Sequence, residues 1–113
     1  MKIYIAIPYT WNAVKSFEVA NNVAAHYMSE GHVVFSPISH SHSIADHLDE
    51  SLRYDQKFWM HQDLPMVEWC DAVVVVVIGE QGHVLVSESK GVQQEIAHAK
   101  LHGKKVLIHE YYD

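Results

Sequence analysis

One glutamate in this 113-residue sequence stands where covalent chemistry could be done. It closes the segment Ser89-Lys90-Gly91-Val92-Gln93-Gln94-Glu95, which follows a valine run and opens a helical pattern. A helix N-terminus presents free backbone amides and a partial positive charge. Gly91 would let a ligand come close to the backbone there. Glu95 falls within the first two turns, so an ionised carboxylate is expected. Such a carboxylate at a binding edge can attack an anomeric carbon and form a glycosyl-enzyme intermediate. The same spacing also suits a structural glutamate near a capped N-terminus.

Two further groups carry polar or aromatic chemistry. Ser36-Pro37-Ile38-Ser39-His40-Ser41-His42-Ser43, followed by Asp46 and His47, resembles the raw material of a metal site. However, structural zinc asks for four ligands at recognisable spacing, commonly with cysteines. The expectation is therefore no metal and no cofactor. No Gly-x-Ser-x-Gly nucleophile elbow accompanies these serines and histidines, which argues against a serine hydrolase. The loop reads better as a substrate loop, with Ser41 and His42 able to hydrogen-bond a ligand, or as a polar surface loop. Tyr9, Trp11, Phe58 and Trp59 could stack on a planar ligand ring, or could serve the core or a subunit interface. Trp59 precedes Asp63 by four residues, so on a helix the two share one face.

The elements that must position these residues follow from periodicity. Lys2–Ile7 is a short β-branched run ended by Pro8, which predicts a strand. Trp11–Glu30 has helical spacing, with Asn12 as cap and Gly31 as stop. His32–Ser36 predicts a second strand. Ile38–Glu50 reads as a polar stretch, and Ser51–Trp69 as helix in two pieces broken near Pro65. Asp71–Ile78, with five consecutive valines, predicts a strand covered on both faces. Gly79–Glu88 reads as a loop, Ser89–His102 as a helix, and Lys105–His109 as the last strand. This alternation predicts one domain over residues 1–113: an α/β, doubly wound, flavodoxin- or Rossmann-like sheet of four to five mainly parallel strands, helices on both faces. Ligands of such sheets bind beyond the carboxyl ends of the strands. That would gather Pro8–Asn12, Pro37–Asp46 and Gly79–Glu95.

Composition narrows the function classes. Eight cations, only Arg53 being an arginine, face fourteen acidic residues for a net charge of −6. Nucleic-acid binding, which rests on clustered Lys and Arg, is not expected, nor is an anionic membrane surface. The longest apolar run, Ala72–Ile78, has 7 residues, against about 20 for a membrane helix. Cys70 is the only cysteine, which excludes an internal disulfide framework, and it reads as a small buried hydrophobe. The N-terminus has no signal-peptide pattern. A cytoplasmic protein is expected.

The chain resembles the nucleoside 2-deoxyribosyltransferase-like superfamily over nearly its whole length, and within it a small branch of unknown function related to deoxynucleoside 5′-monophosphate N-glycosidases. The residues that carry the resemblance are Tyr4-Ile5-Ala6-Ile7-Pro8-Tyr9, Gly31 to Ile38, Ser41-His42, Trp59, Asp63-Leu64, Cys70-Asp71 and Ser89…Gly91-Val92…Glu95. The resemblance implies action on the N-glycosidic bond of deoxynucleosides or their 5′-monophosphates. It implies Glu95 as nucleophile on C1′, Tyr4 as the group that orients it, and Asp63 beside sugar and base, assisting departure of the base. Ser89 stands where transferases of free nucleosides tend to carry Asp and monophosphate hydrolases carry Ser, so a monophosphate is the implied substrate. Ile7 replaces the glycine usual in the first motif. The later family segment that a neighbouring subunit donates would lie beyond Asp113, so that closure is expected to be missing or built differently.

Together these readings predict an N-glycosidase with catalytic Glu95, Asp63 and Tyr4. The predicted substrate contacts are Ser89, Gly91, Pro8, Tyr9, Ser41, His42 and Trp59. A 2-deoxyribosyltransferase and a non-catalytic nucleotide binder are the alternatives. The expected partner is a small nucleotide or nucleoside. A homodimer or larger homo-oligomer is expected, with Phe58 and Trp59 on the Ser51–Trp69 helix as the interface.

Overall fold

Isoleucines at 3, 5 and 7 alternate with Tyr4 and Ala6, so a strand here sends two different sets of side chains to its two faces. The computed structural model describes residues 1–113 and builds on that alternation. Strand β1 (Lys2–Ala6) leads to helix α1 (Ala13–Ser29), then to strand β2 (Val33–Phe35). The segment to the next strand holds two short helices and a longer one: α2 (Pro37–Ser41), α3 (Glu50–Arg53) and α4 (Gln56–Trp69), with a 3-10 turn at Ile44–His47. Strand β3 (Ala72–Ile78) is followed by α5 (Gly82–Glu88), α6 (Lys90–Leu101) and the last strand, β4 (Lys105–Tyr111). The four strands run parallel in the order β2-β1-β3-β4.

Helices cover both faces, and the alternation decides which residue meets which helix. Ile3, Ile5, Ile7, Val74, Val76 and Ile78 pack with Val19, Ala20 and Val23 of α1. Tyr4, Ala6, Val73 and Val75 pack with Val67, Cys70, Val92 and Ala99 on the α4–α6 side. All seven residues of β3 are buried, as the valine run requires. Each of its valine and isoleucine side chains contributes about 1.5–3 kcal/mol on burial.

The punctuation works mostly as read. Asn12 caps α1 by accepting from the Lys15 amide, and Gly31 ends the turn after it at a φ of 94°. Three readings need correction. The break expected near Pro65 lies instead at Tyr54–Asp55, where Asp55 caps α4. Pro65 stays inside α4, exposed on its outer side, and removes a single backbone bond. The polar stretch Ile38–Glu50 carries α2 and the 3-10 turn rather than open loop. The expected loop Gly79–Glu88 holds α5, which lies against β3. A Cβ on Gly82 would come within 2.4 Å of Val77 Cγ1 and 2.8 Å of its backbone carbon, so only glycine allows that approach.

Candidate active site

Tyr4 points to the α4–α6 side of the sheet and has no exposed surface. A buried phenol needs a hydrogen-bond partner, and its hydroxyl donates to Oε2 of Glu95. Val92, Glu95 and Ala99 form the buried stripe of α6, at the three- and four-residue spacing of one helix face. A carboxyl thus occupies a position that an apolar side chain would fill. Asp63 does the same on α4, where it is buried together with Val67. Glu95 is 5% exposed and Asp63 7%.

Burial sets the charge of this group. It pushes Glu95 up from 4.5 to about 8; the Tyr4 hydrogen bond opposes that rise and the charge of Asp63 adds to it. Burial also raises Asp63 from 3.8 to about 6. The Tyr4 phenol is held well above its usual value of 10, first by burial and then by the charges of Glu95 and Asp63. The sequence reading of an ionised Glu95 is therefore corrected. The helix dipole acts within the first turn, and desolvation of a side chain this deep outweighs it. Near neutral pH the two carboxyls hold one proton between them, and burial raises Glu95 more than Asp63.

Asp63 also lines a cleft of about 250 Å³ between α4 and the segment after β2. Phe35, His40, Ser41, Trp59 and Gln62 are among its other walls. Phe35 pairs with Tyr4 in the sheet register, and their ring centroids lie 5.9 Å apart. That pairing sets the cleft directly beside the Tyr4–Glu95 bond. Glu95 does not itself line the cleft. Two carboxyls with separated proton affinities beside one opening are what acid–base or nucleophilic chemistry requires.

The family model described as Domain of unknown function (DUF1937) matches residues 1–111. The chain belongs to that family. No curated protein matches it. Among solved structures, the DUF1937 chain is similar to a 2-deoxyribosyltransferase from the psychrotolerant bacterium Bacillus psychrosaccharolyticus. That similarity has a TM-score of 0.68 at 21% identity and covers 97% of this chain and 72% of that one. It is also similar to the 2-deoxyribosyltransferase of Leishmania mexicana, with a TM-score of 0.63 at 20% identity over 96% of this chain and 63% of that one. The fold is the 2-deoxyribosyltransferase fold. No helix is long and apolar enough to cross a membrane.

Within this DUF1937 fold the residues read from the sequence separate into groups. Tyr4, Asp63 and Glu95 converge, and Ser41 and Trp59 join Asp63 at the cleft. Tyr9 and His42 form a pair of their own, with 2.7 Å between the hydroxyl and Nδ1, and His42 stacks on Phe17. His40 turns instead towards Phe35. The Pro8 carbonyl accepts from Trp11 Nε1 and Ser16 Oγ. Ser89 caps α6, its Oγ accepting from the Val92 amide at 3.2 Å. Gly91 faces α4, where a Cβ would stand 3.4 Å from Gln56 Nε2. Ile7 is 4% exposed in the α1-side core, so an apolar side chain there has a packing role. Trp59, read as an interface residue, turns inward, its indole N–H donating to the Arg53 carbonyl at 2.8 Å. The Arg53 guanidinium binds the Ala45 and Asp46 carbonyls, so the only arginine fastens the loop instead of entering the cleft. Phe35 and Gln62 escaped the sequence reading. Gln62 follows Trp59 by three residues, a spacing that could have found it; Phe35 depends on sheet register.

Proposed function

We propose that this chain cleaves the base–sugar bond of a deoxynucleoside 5′-monophosphate, with Glu95 as nucleophile and water as final acceptor. The observation that carries the reading is the buried Tyr4–Glu95 hydrogen bond with Asp63 beside it at the cleft wall. The reactive form keeps the single proton on Asp63. Substrate entry has to open the cleft wall to Glu95, which lies behind Asp63; the Glu95 carboxylate then attacks C1′ while Asp63 gives its proton to the departing base. Water then opens the glycosyl ester, and Asp63 takes the proton back. The Tyr4 hydroxyl favours the ionised form of Glu95 and holds its oxygen in place. The monophosphate is supported by Ser89, a neutral donor at the α6 N-terminus, where free amides suit a phosphate.

A second reading is transfer of deoxyribose between bases, with free nucleosides as substrates. No Lys or Arg lines the cleft and Arg53 is engaged elsewhere, which favours an uncharged ligand. Incubation with matched nucleosides and 5′-monophosphates, with and without an acceptor base, separates the two by chromatography. Free base from a monophosphate without acceptor supports hydrolysis. A new nucleoside formed only with acceptor supports transfer. No product from any pair would leave binding without turnover.

A further inference from the structure

The outer ends of α4 and α6 carry a second group of polar side chains, apart from the carboxyl pair. His98 and His102 lie one turn apart on α6 and its C-cap, with ring centroids separated by 4.4 Å. Glu68, in the last turn of α4, reaches across so that its Oε2 stands 2.8 Å from His98 Nε2. One ring nitrogen from each histidine and one carboxylate oxygen lie within 4.8 Å of one another. Glu68 and His102 are exposed and His98 is half-buried, so an ion can reach all three from solvent.

We propose that Glu68, His98 and His102 form a zinc site that ties α4 to α6. Two imidazoles four residues apart on one helix, completed by a carboxylate from a neighbouring element, are a donor set suited to Zn²⁺. Ligand atoms around tetrahedral Zn²⁺ stand about 3.4 Å apart, given metal–ligand bonds of about 2.0–2.2 Å. The His98–Glu68 contact therefore opens slightly as the ion enters, and the His102 ring closes on it. Three protein ligands leave the fourth position to water. Lys104 lies close enough to act on the Glu68 charge and opposes a second cation. Binding is therefore expected at roughly micromolar strength, short of that of closed four-ligand structural sites. The ion would pin together the two helices that carry Asp63 and Glu95, so its effect on the fold is a brace behind the carboxyl pair.

Calorimetric titration of the untagged full chain with ZnCl₂ is expected to give one ion per chain, with a matching saturable rise in melting temperature. His98→Ala and His102→Ala should each weaken binding about tenfold or more. Glu68→Gln should weaken it as well, and Co²⁺ in place of zinc should show the visible bands of a four-coordinate site. His61→Ala, an exposed histidine of the neighbouring α4 surface, should leave the affinity unchanged. Circular dichroism establishes that the variants fold. No uptake by the wild type, or uptake that persists in the His98→Ala/His102→Ala double variant, would overturn the proposal.

Discussion

The Tyr4 hydroxyl on the inner strand β1 donates to the Glu95 carboxyl on α6, across 91 positions of sequence. The bond opposes the rise that burial imposes on Glu95. Tyr4→Phe removes it and should raise the Glu95 pKa further. Turnover near neutral pH is then expected to fall about tenfold or more, since less Glu95 is available as the carboxylate. Steady-state kinetics on a substrate that the wild type cleaves checks this. Equal kcat values in the two proteins would remove Tyr4 from the mechanism.

A pair holding one proton between about 6 and about 8 predicts a bell-shaped dependence of kcat/KM on pH. Below the lower limb both carboxyls are protonated and no nucleophile remains. Above the upper limb both are ionised and no proton is left for the base. Tyr4→Phe should carry the upper limb to higher pH. A rate that keeps rising through pH 9 would contradict the shared proton.

Glu95→Gln separates function from stability. Activity should drop by about three orders of magnitude or more, the scale for loss of a nucleophile. Stability should move the other way. In the unfolded chain Glu95 ionises near 4.5, and in the fold it keeps its proton to about 8. Across that window the folded state binds more protons, so wild-type stability declines as pH rises. Gln carries no titrating proton and still accepts from Tyr4. The variant is expected to match the wild type near pH 4 and to exceed it by a few kcal/mol at pH 8. Urea melts at both pH values measure the difference, and an unchanged gap would contradict burial as the cause of the shift.

Ser89 tests the substrate class. Ser89→Asp keeps the cap on α6, because aspartate serves that position as well as serine does. It also adds a negative charge where a phosphate is proposed to sit. Unit charges about 4 Å apart interact by about 1–4 kcal/mol at surface-like dielectric, enough for a tenfold change in selectivity. The ratio of kcat/KM for a matched monophosphate and nucleoside should fall at least that far. Ser89→Ala should instead cost about 1 kcal/mol of stability through the lost cap. An unmoved ratio in Ser89→Asp would leave Ser89 with capping alone.

The open edge of β4 is where a second copy is expected. Leu107 and Ile108 are 42% and 56% exposed on an edge strand, with Leu101 and Tyr112 also exposed, and unpaired edges invite association. Phe58 and Trp59 line the cleft on α4, and β4 offers a second exposed apolar face on which a copy could pair. Light scattering at micromolar concentration should report a dimer, and Ile108→Lys should yield a monomer. A monomeric wild type would end this reading.

The sequence by itself determined the alternation of strands and helices, because apolar period, caps and glycine stops act over a few residues. Asn12, Gly31, Ser89 and the valine run could be read without any partner in view. Tyr4, Asp63 and Glu95 were singled out together only through the family resemblance that the sequence's short motifs carry. The register that sets Phe35 beside Tyr4 was closed to it, as was the inward turn of Trp59. Both depend on which strands and helices meet. Gly82 looked like loop because the reason for it, the Val77 backbone beneath α5, lies on another element. Only the tertiary structure decided the charge of Glu95. Sequence position placed it in the field of a helix end, which favours ionisation. Burial between α6 and the sheet costs a charged carboxyl more than that field returns two turns in, so the proton stays.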